Sequence, residues 1–170
     1  MAIELSNLTF TDENDIVSAS GHEQIVNTEI AHTLAGNDEI TGSSYDDYGF
    51  KNVGTVNTND GNHTIIGHVD FSQSAPNNYG IFNSGTLNIG EGDNVIIGSS
   101  SGRGIYSTQG SIFDTRDGND LIMTGRNSIG NGSNTFTTSR ITSPPITISD
   151  PYLLNYLAMN FHKFSIYVVL

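Results

Sequence analysis

The sequence predicts an all-β chain, a right-handed parallel β-helix or β-solenoid of about four to five coils ending in a short C-terminal helical cap. Three observations carry that prediction. A phrase joining glycine, amide and acid to an aliphatic run recurs as LAGNDEITG (34–42), NDGNHTIIG (59–67), GEGDNVIIG (90–98) and RDGNDLIMTG (116–125), with DENDIVSAS (12–20) as a worn copy. A second phrase precedes it: GFKNVGTVNT (49–58), GIFNSGTLNI (80–89) and GIYSTQGSIFDT (104–115), with QIVNTEIAHT (24–33) a weaker relative. Charged residues make up only 14 % of the chain, while Gly, Asn, Ser and Thr crowd its first 140 residues, a composition of short strands and turns.

The central residues of the turn phrase are Glu13, Gly36, Gly61, Gly92 and Gly118, separated by 23, 25, 31 and 26 residues, a solenoid period. Superposing the copies stacks like residues on like. Ile25, Phe50, Ile81 and Ile105 form one apolar ladder; Ala31, Val56, Leu87 and Ile112 a second; Val17, Ile40, Ile65, Ile96 and Ile122 a third. Three inward ladders imply three short strands per coil, with coils about 4.8 Å apart. Asn27, Asn52 and Asn83, followed by Ser107, form a polar ladder expected at a tight bend, either bonding from coil to coil or serving as ordinary turn residues. Length differences fall after the third strand, in SSYDDY (43–48), HVDFSQSAPNNY (68–79) and SSSGR (99–103), so loops project on one face, the first place to seek binding.

Residues 1–11 are expected to cap the start, 12–140 to form the repeats and 141–170 to form a cap or export tail. Asp150 and Pro151 mark a helix start before YLLNYLAMNF. The break in composition after TSPPITISD also suits a truncated reading-frame end. The tail is apolar, but Asn155, Asn160, His162 and Lys163 interrupt it, so no membrane span is expected. MAIELSNLTF lacks the basic and apolar regions of a cleaved leader.

With 18 acidic and 6 basic residues the net charge is −12, which disfavours nucleic acid and suits cations. Cysteine is absent, so there is neither a disulfide frame nor a thiolate site. Of the five histidines, His22, His32, His63, His68 and His162, only His63 and His68 lie close in sequence, and no third ligand follows from spacing. No G-x-S-x-G, HExxH or P-loop is present. Asp46 with Asp47, or Asp12 with Asp15, fits the acid–base pair of a polysaccharide-active β-helix, but loop acids near turns need no such role.

The G-N-D-x-I-x-G phrase resembles the hemolysin-type calcium-binding repeats of RTX proteins, and the longer phrase before it looks like their long-period bacterial relatives. In that family glycines shape a turn whose carbonyls and an aspartate hold calcium between stacked coils. Carried over, the resemblance implies ligand aspartates at Asp38 and Asp120, with Asp15 as a third, and turn glycines at Gly36, Gly90, Gly92 and Gly118. The matching position is His63 in one copy and Asn94 in another. Independently of the resemblance, Asp60, Glu91 and Asp117 precede the phase marks and should stack. Unit charges about 5 Å apart repel by roughly 0.8 kcal/mol in water and roughly 3 kcal/mol at an effective dielectric near 20, a cost that a bound cation removes.

These readings combine into a non-enzymatic, calcium-binding repeat module of a surface or exported bacterial protein. The resemblance implies leaderless export through a C-terminal signal; a cytoplasmic location is the alternative. The rival function is an adhesive β-helix that binds a cell-surface glycan or protein without metal. An ice-binding face needs outward threonine rows, and only Thr33, Thr58 and Thr115 line up.

Overall fold

The computed structural model describes residues 2–19, 21–70 and 78–124, together with the backbone of strands 135–139 and 165–166. In chain order the strands are β1 Ala2–Glu4, β2 Ile16–Ser18, β3 Gln24–Asn27, β4 Ile30–His32, β5 Glu39–Ser44, β6 Tyr48–Asn52, β7 Thr55–Asn57 and β8 Thr64–Val69. They continue as β9 Tyr79–Asn83, β10 Thr86–Asn88, β11 Val95–Ser99, β12 Arg103–Ser107, β13 Ile112–Asp117, β14 Leu121–Thr124, β15 Thr135–Ser139 and β16 Ser165–Ile166. From β2 to β14 every third strand joins the same sheet. Sheet A runs β1-β3-β6-β9-β12, sheet B runs β2-β5-β8-β11-β14-β16 and sheet C runs β4-β7-β10-β13-β15. All pairings are parallel except β14 with β16, so the chain is a β-solenoid with three strands per coil. The helix expected after Asp150 lies outside the described residues.

The first and third apolar ladders form in the expected register: Ile25, Phe50, Ile81 and Ile105 in sheet A, and Val17, Ile40, Ile65, Ile96 and Ile122 in sheet B. The second ladder differs at its last rung. Leu87 pairs with Phe113, which is buried, while Ile112 faces solvent at 44 % exposure. The extra residue in GIYSTQGSIFDT shifts the strand by one, and a shift of one exchanges the two faces. These side chains join one continuous core along the solenoid, each fully buried one contributing about 1.5–3 kcal/mol.

Three different corners close each coil. Between sheets B and A, Gly42, Gly67 and Gly98 lie against the carbonyl oxygens of Gly49, Gly80 and Gly104, so that backbone touches backbone where a side chain would intervene. Between A and C, the asparagine ladder bonds through the buried interior: Asn27 Nδ2 donates to Asn52 Oδ1, and Asn52 Nδ2 to Asn83 Oδ1, both at 2.9 Å. The same amides hold the bend by donating to the carbonyls of Glu29, Thr55, Thr86 and Ile112. The third corner, from C to B, is the Gly-Asn-Asp turn.

At the first coil, side chains stand in for a preceding coil. Val53 and Ser84 donate their N–H groups to Asn27 O and Asn52 O on the coil before. The equivalent Thr28 N–H donates instead to Glu4 Oε1 at 2.8 Å, and the Thr28 hydroxyl to Glu4 Oε2 at 3.0 Å. Leu5, in the short 3-10 turn that follows β1, is fully buried in the core.

Candidate functional site

The turn phrase builds two opposed hydrogen-bond ladders. Outside, Asn14, Asn37, Asn62 and Asp93 each accept through Oδ1 the N–H of the residue one coil further on, at Asn37, Asn62, Asp93 and Asn119, all at 2.8 Å. Inside, the direction reverses. The N–H groups of Asp15, Asp38, His63 and Asn94 donate to Asp38 Oδ1, His63 Nδ1, Asn94 Oδ1 and Asp120 Oδ1 on the following coil, at 2.9–3.3 Å. Asparagine and aspartate recur because each puts a short acceptor beside a backbone donor, satisfying turn amides that the sheet ladders cannot reach.

The residues singled out by the resemblance therefore have structural partners. Asp38 is 2 % exposed; besides the Asp15 amide it takes the Thr33 hydroxyl on Oδ2, and His63 Nδ1 stands 3.5 Å from that oxygen. Asp120 is 6 % exposed and also accepts Asn94 Nδ2 at 3.0 Å. Asp15 accepts the Thr11 N–H at 2.7 Å. Gly36, Gly92 and Gly118 have positive φ, and Gly90 N–H donates to the Thr58 hydroxyl. Asp60, Glu91 and Asp117 are exposed and lie on successive coils, Gly61 N–H meeting Glu91 O and Gly92 N–H meeting Asp117 O. Among the described residues no three His, Asp or Glu side chains converge as a metal cage. Asp12, Asp46 and Asp47 lie exposed in turns. Thr33, Thr58 and Thr115 point inward and are fully buried, so they form no outward threonine row.

His63 is the histidine of the inner ladder. Burial lowers its pKa, with Asp38 and Asp60 pulling the other way. His68 is lowered by burial and by His22 against the pull of Asp70. Below the ordinary histidine pKa of 6.5 the unfolded chain takes up protons that these sites resist, so stability falls with pH by at most about 1.4 kcal/mol per unit for each proton. Asp120, raised by burial despite the bonds from Asn94, acts oppositely at lower pH, binding its proton before the unfolded chain does. His63→Asn keeps an acceptor for the Asp38 amide, as Asn94 does for His63. Thermal melts from pH 7 to pH 5 should show a smaller loss for this variant than for wild type; an equal loss would remove His63 from the effect. Relief of the chain's negative repulsion is common to both proteins and cancels in the comparison.

A second constellation lies on the outer face of sheet A, directly after the loops of variable length. Tyr48 and Tyr79 are in register with Arg103, and Lys51 and Phe82 with Tyr106. The rings touch along three coils: Tyr48 and Tyr79 have centroids 5.7 Å apart, Tyr79 and Tyr106 5.0 Å, and Phe82 sits between them at 5.0–5.8 Å. Lys51 Nζ lies 4.8 Å from the Tyr48 ring centre, and the Arg103 guanidinium 4.6 Å from that of Tyr106. All six side chains are half-buried. Burial raises the Tyr48 phenol above its ordinary pKa, and neighbouring Asp47 adds to the rise. The sequence expectations omit this patch, although aligning YGFKN, YGIFN and RGIYS displays both rows. No protein-family model, curated protein or solved structure significantly matches the chain.

Proposed function

We propose that the chain is a non-enzymatic β-solenoid module that adheres to carbohydrate through the outer face of sheet A. The carrying observation is the run of half-exposed rings on β6, β9 and β12, flanked by Lys51 and Arg103. Rings stacked from coil to coil and half-exposed form an apolar strip edged with hydroxyls and two cations, which suits the apolar faces of pyranose rings and orients their hydroxyls. A β-solenoid keeps such rings in fixed register, so little ordering remains when a polymer lies across them. Passing the intact chain over immobilised neutral and acidic polysaccharides tests the reading. Retention is expected, weakened in Tyr79→Ala, with no new reducing ends released from the glycan. Passage without retention on every polymer would reject adhesion, and released ends would reject the non-enzymatic part.

The exposed carboxylates of Asp60, Glu91 and Asp117 on successive coils favour a second reading, weak calcium binding completed by turn carbonyls and water. Melts in EDTA, millimolar calcium and millimolar magnesium should then show a calcium-specific rise. At a hundredfold excess over Kd it corresponds to about 2.7 kcal/mol. Glu91→Gln should abolish the rise, while Asp38→Asn lowers the baseline and leaves the rise intact. Equal curves in calcium and EDTA would dismiss this reading.

A further inference from the structure

Resting on the carbohydrate reading above, we propose that the outer face of sheet A selects an anionic polysaccharide, an extended pyranose chain bearing carboxylates, laid along the solenoid axis. The chain carries 18 acidic residues and only 6 basic ones, yet two of the six, Lys51 and Arg103, stand on this one aromatic patch. Among the described residues neither has a carboxylate within ion-pair distance, although Arg116 pairs with Asp114 elsewhere. Ring faces hold both cations in place. A guanidinium over a ring keeps its N–H fork directed outward, the geometry that meets a carboxylate with two parallel bonds.

The lattice of the face fits a polymer rather than a single sugar. Tyr48, Tyr79 and Tyr106 advance by one coil each, about 4.8 Å per step, so a chain parallel to the axis meets a ring at every coil. Lys51 on β6 and Arg103 on β12 are two coils apart and in the two different outer rows, so the cations stand at opposite ends and opposite edges of the ring patch, where a chain lying across it meets both. A uronate chain offers apolar sugar surface to the tyrosines and carboxylates to the two cations, so both kinds of group on this face find a partner.

Titration calorimetry of the intact protein in EDTA tests this with oligogalacturonate, a chain of 1,4-linked uronic acids, and with its fully methyl-esterified form, which keeps the sugar and linkage but removes the charge. The acid form should bind at least about tenfold more tightly, and that preference should shrink as salt is raised. Arg103→Gln should lose about tenfold for the acid and clearly less for the ester, so that the acid-over-ester preference shrinks, and Arg103→Lys should restore part of that preference. Should Arg103→Gln melt early, Lys51→Gln supplies the same comparison. Equal, salt-insensitive binding of acid and ester would overturn the anionic selection while leaving carbohydrate adhesion standing. Retention on neutral polymers with neither galacturonate form bound would overturn it too. No binding to any polysaccharide would overturn both readings together.

Discussion

Asn52→Leu is expected to lower the unfolding free energy by about 3–5 kcal/mol, more than most single substitutions. Asn52 is fully buried and works in both directions: its Nδ2 donates to Asn83 Oδ1 at 2.9 Å and to Thr86 O at 2.8 Å, and its Oδ1 accepts from Asn27. Leucine is close in size, so little packing is lost, but it strands an amide oxygen and a bend carbonyl where water does not reach. Each buried group left unpaired costs about 1–3 kcal/mol. Asn88 provides the internal control, because its amide bonds Asn57 across coils on the half-exposed outer face. Asn88→Leu should cost less than about 1 kcal/mol, since water replaces the lost partner. Urea unfolding followed by circular dichroism compares the two; equal losses would mean that the buried ladder contributes no more than the external one.

The difference between those two asparagines also marks how far the sequence could be read. Periodicity alone places Ile25, Phe50, Ile81 and Ile105 in one column, because a solenoid repeats each residue's surroundings at the next coil and alignment within the chain acts as a contact map. The buried Asn27, Asn52 and Asn83 column was legible for the same reason. Register failed at Ile112, where a single extra residue before a strand exchanges inside for outside and no local signal says which residue absorbs the slip.

The turn phrase is ambiguous in a more chemical way. Aspartate after glycine and asparagine serves a cation or a backbone amide equally well, since both are met by a short oxygen acceptor at a tight turn. Only three-dimensional placement separates the uses. Asp38 and Asp120 turn inward to coil-to-coil amides, while Asp60, Glu91 and Asp117 turn outward. His63 and Asn94 at the aspartate position then make sense, because each still offers an acceptor to the amide before it. The aromatic face is a case of attention drawn to the conspicuous phrase: its residues alternate with the core ladder in the same strands and carry no motif of their own.

Gly92→Ala should cost about 3 kcal/mol or more and divide the solenoid. Gly92 sits at φ 133°, a conformation that L side chains rarely adopt, and an added Cβ would collide with the carbonyl of Gly61 on the neighbouring coil. Positive φ alone costs a residue with a Cβ about 1–2 kcal/mol. Collision with fixed backbone adds to this, because the two turns cannot separate without breaking the bond from Gly61 N–H to Glu91 O. Gly110 separates the two contributions: its φ is 83°, and nothing lies within 4 Å of a Cβ placed there. Gly110→Ala should therefore lose only the conformational part, about 1–2 kcal/mol. Each coil rests only on its neighbours, so a gap at Gly92 should uncouple β11 and β14 from β5 and β8. Hydrogen exchange should then show β14 amides opening well before those of β5 in Gly92→Ala, with a common opening in Gly110→Ala. Uniform protection in both variants would mean that stacking tolerates a methyl group between coils, and that glycine recurs at this turn for its backbone angle alone.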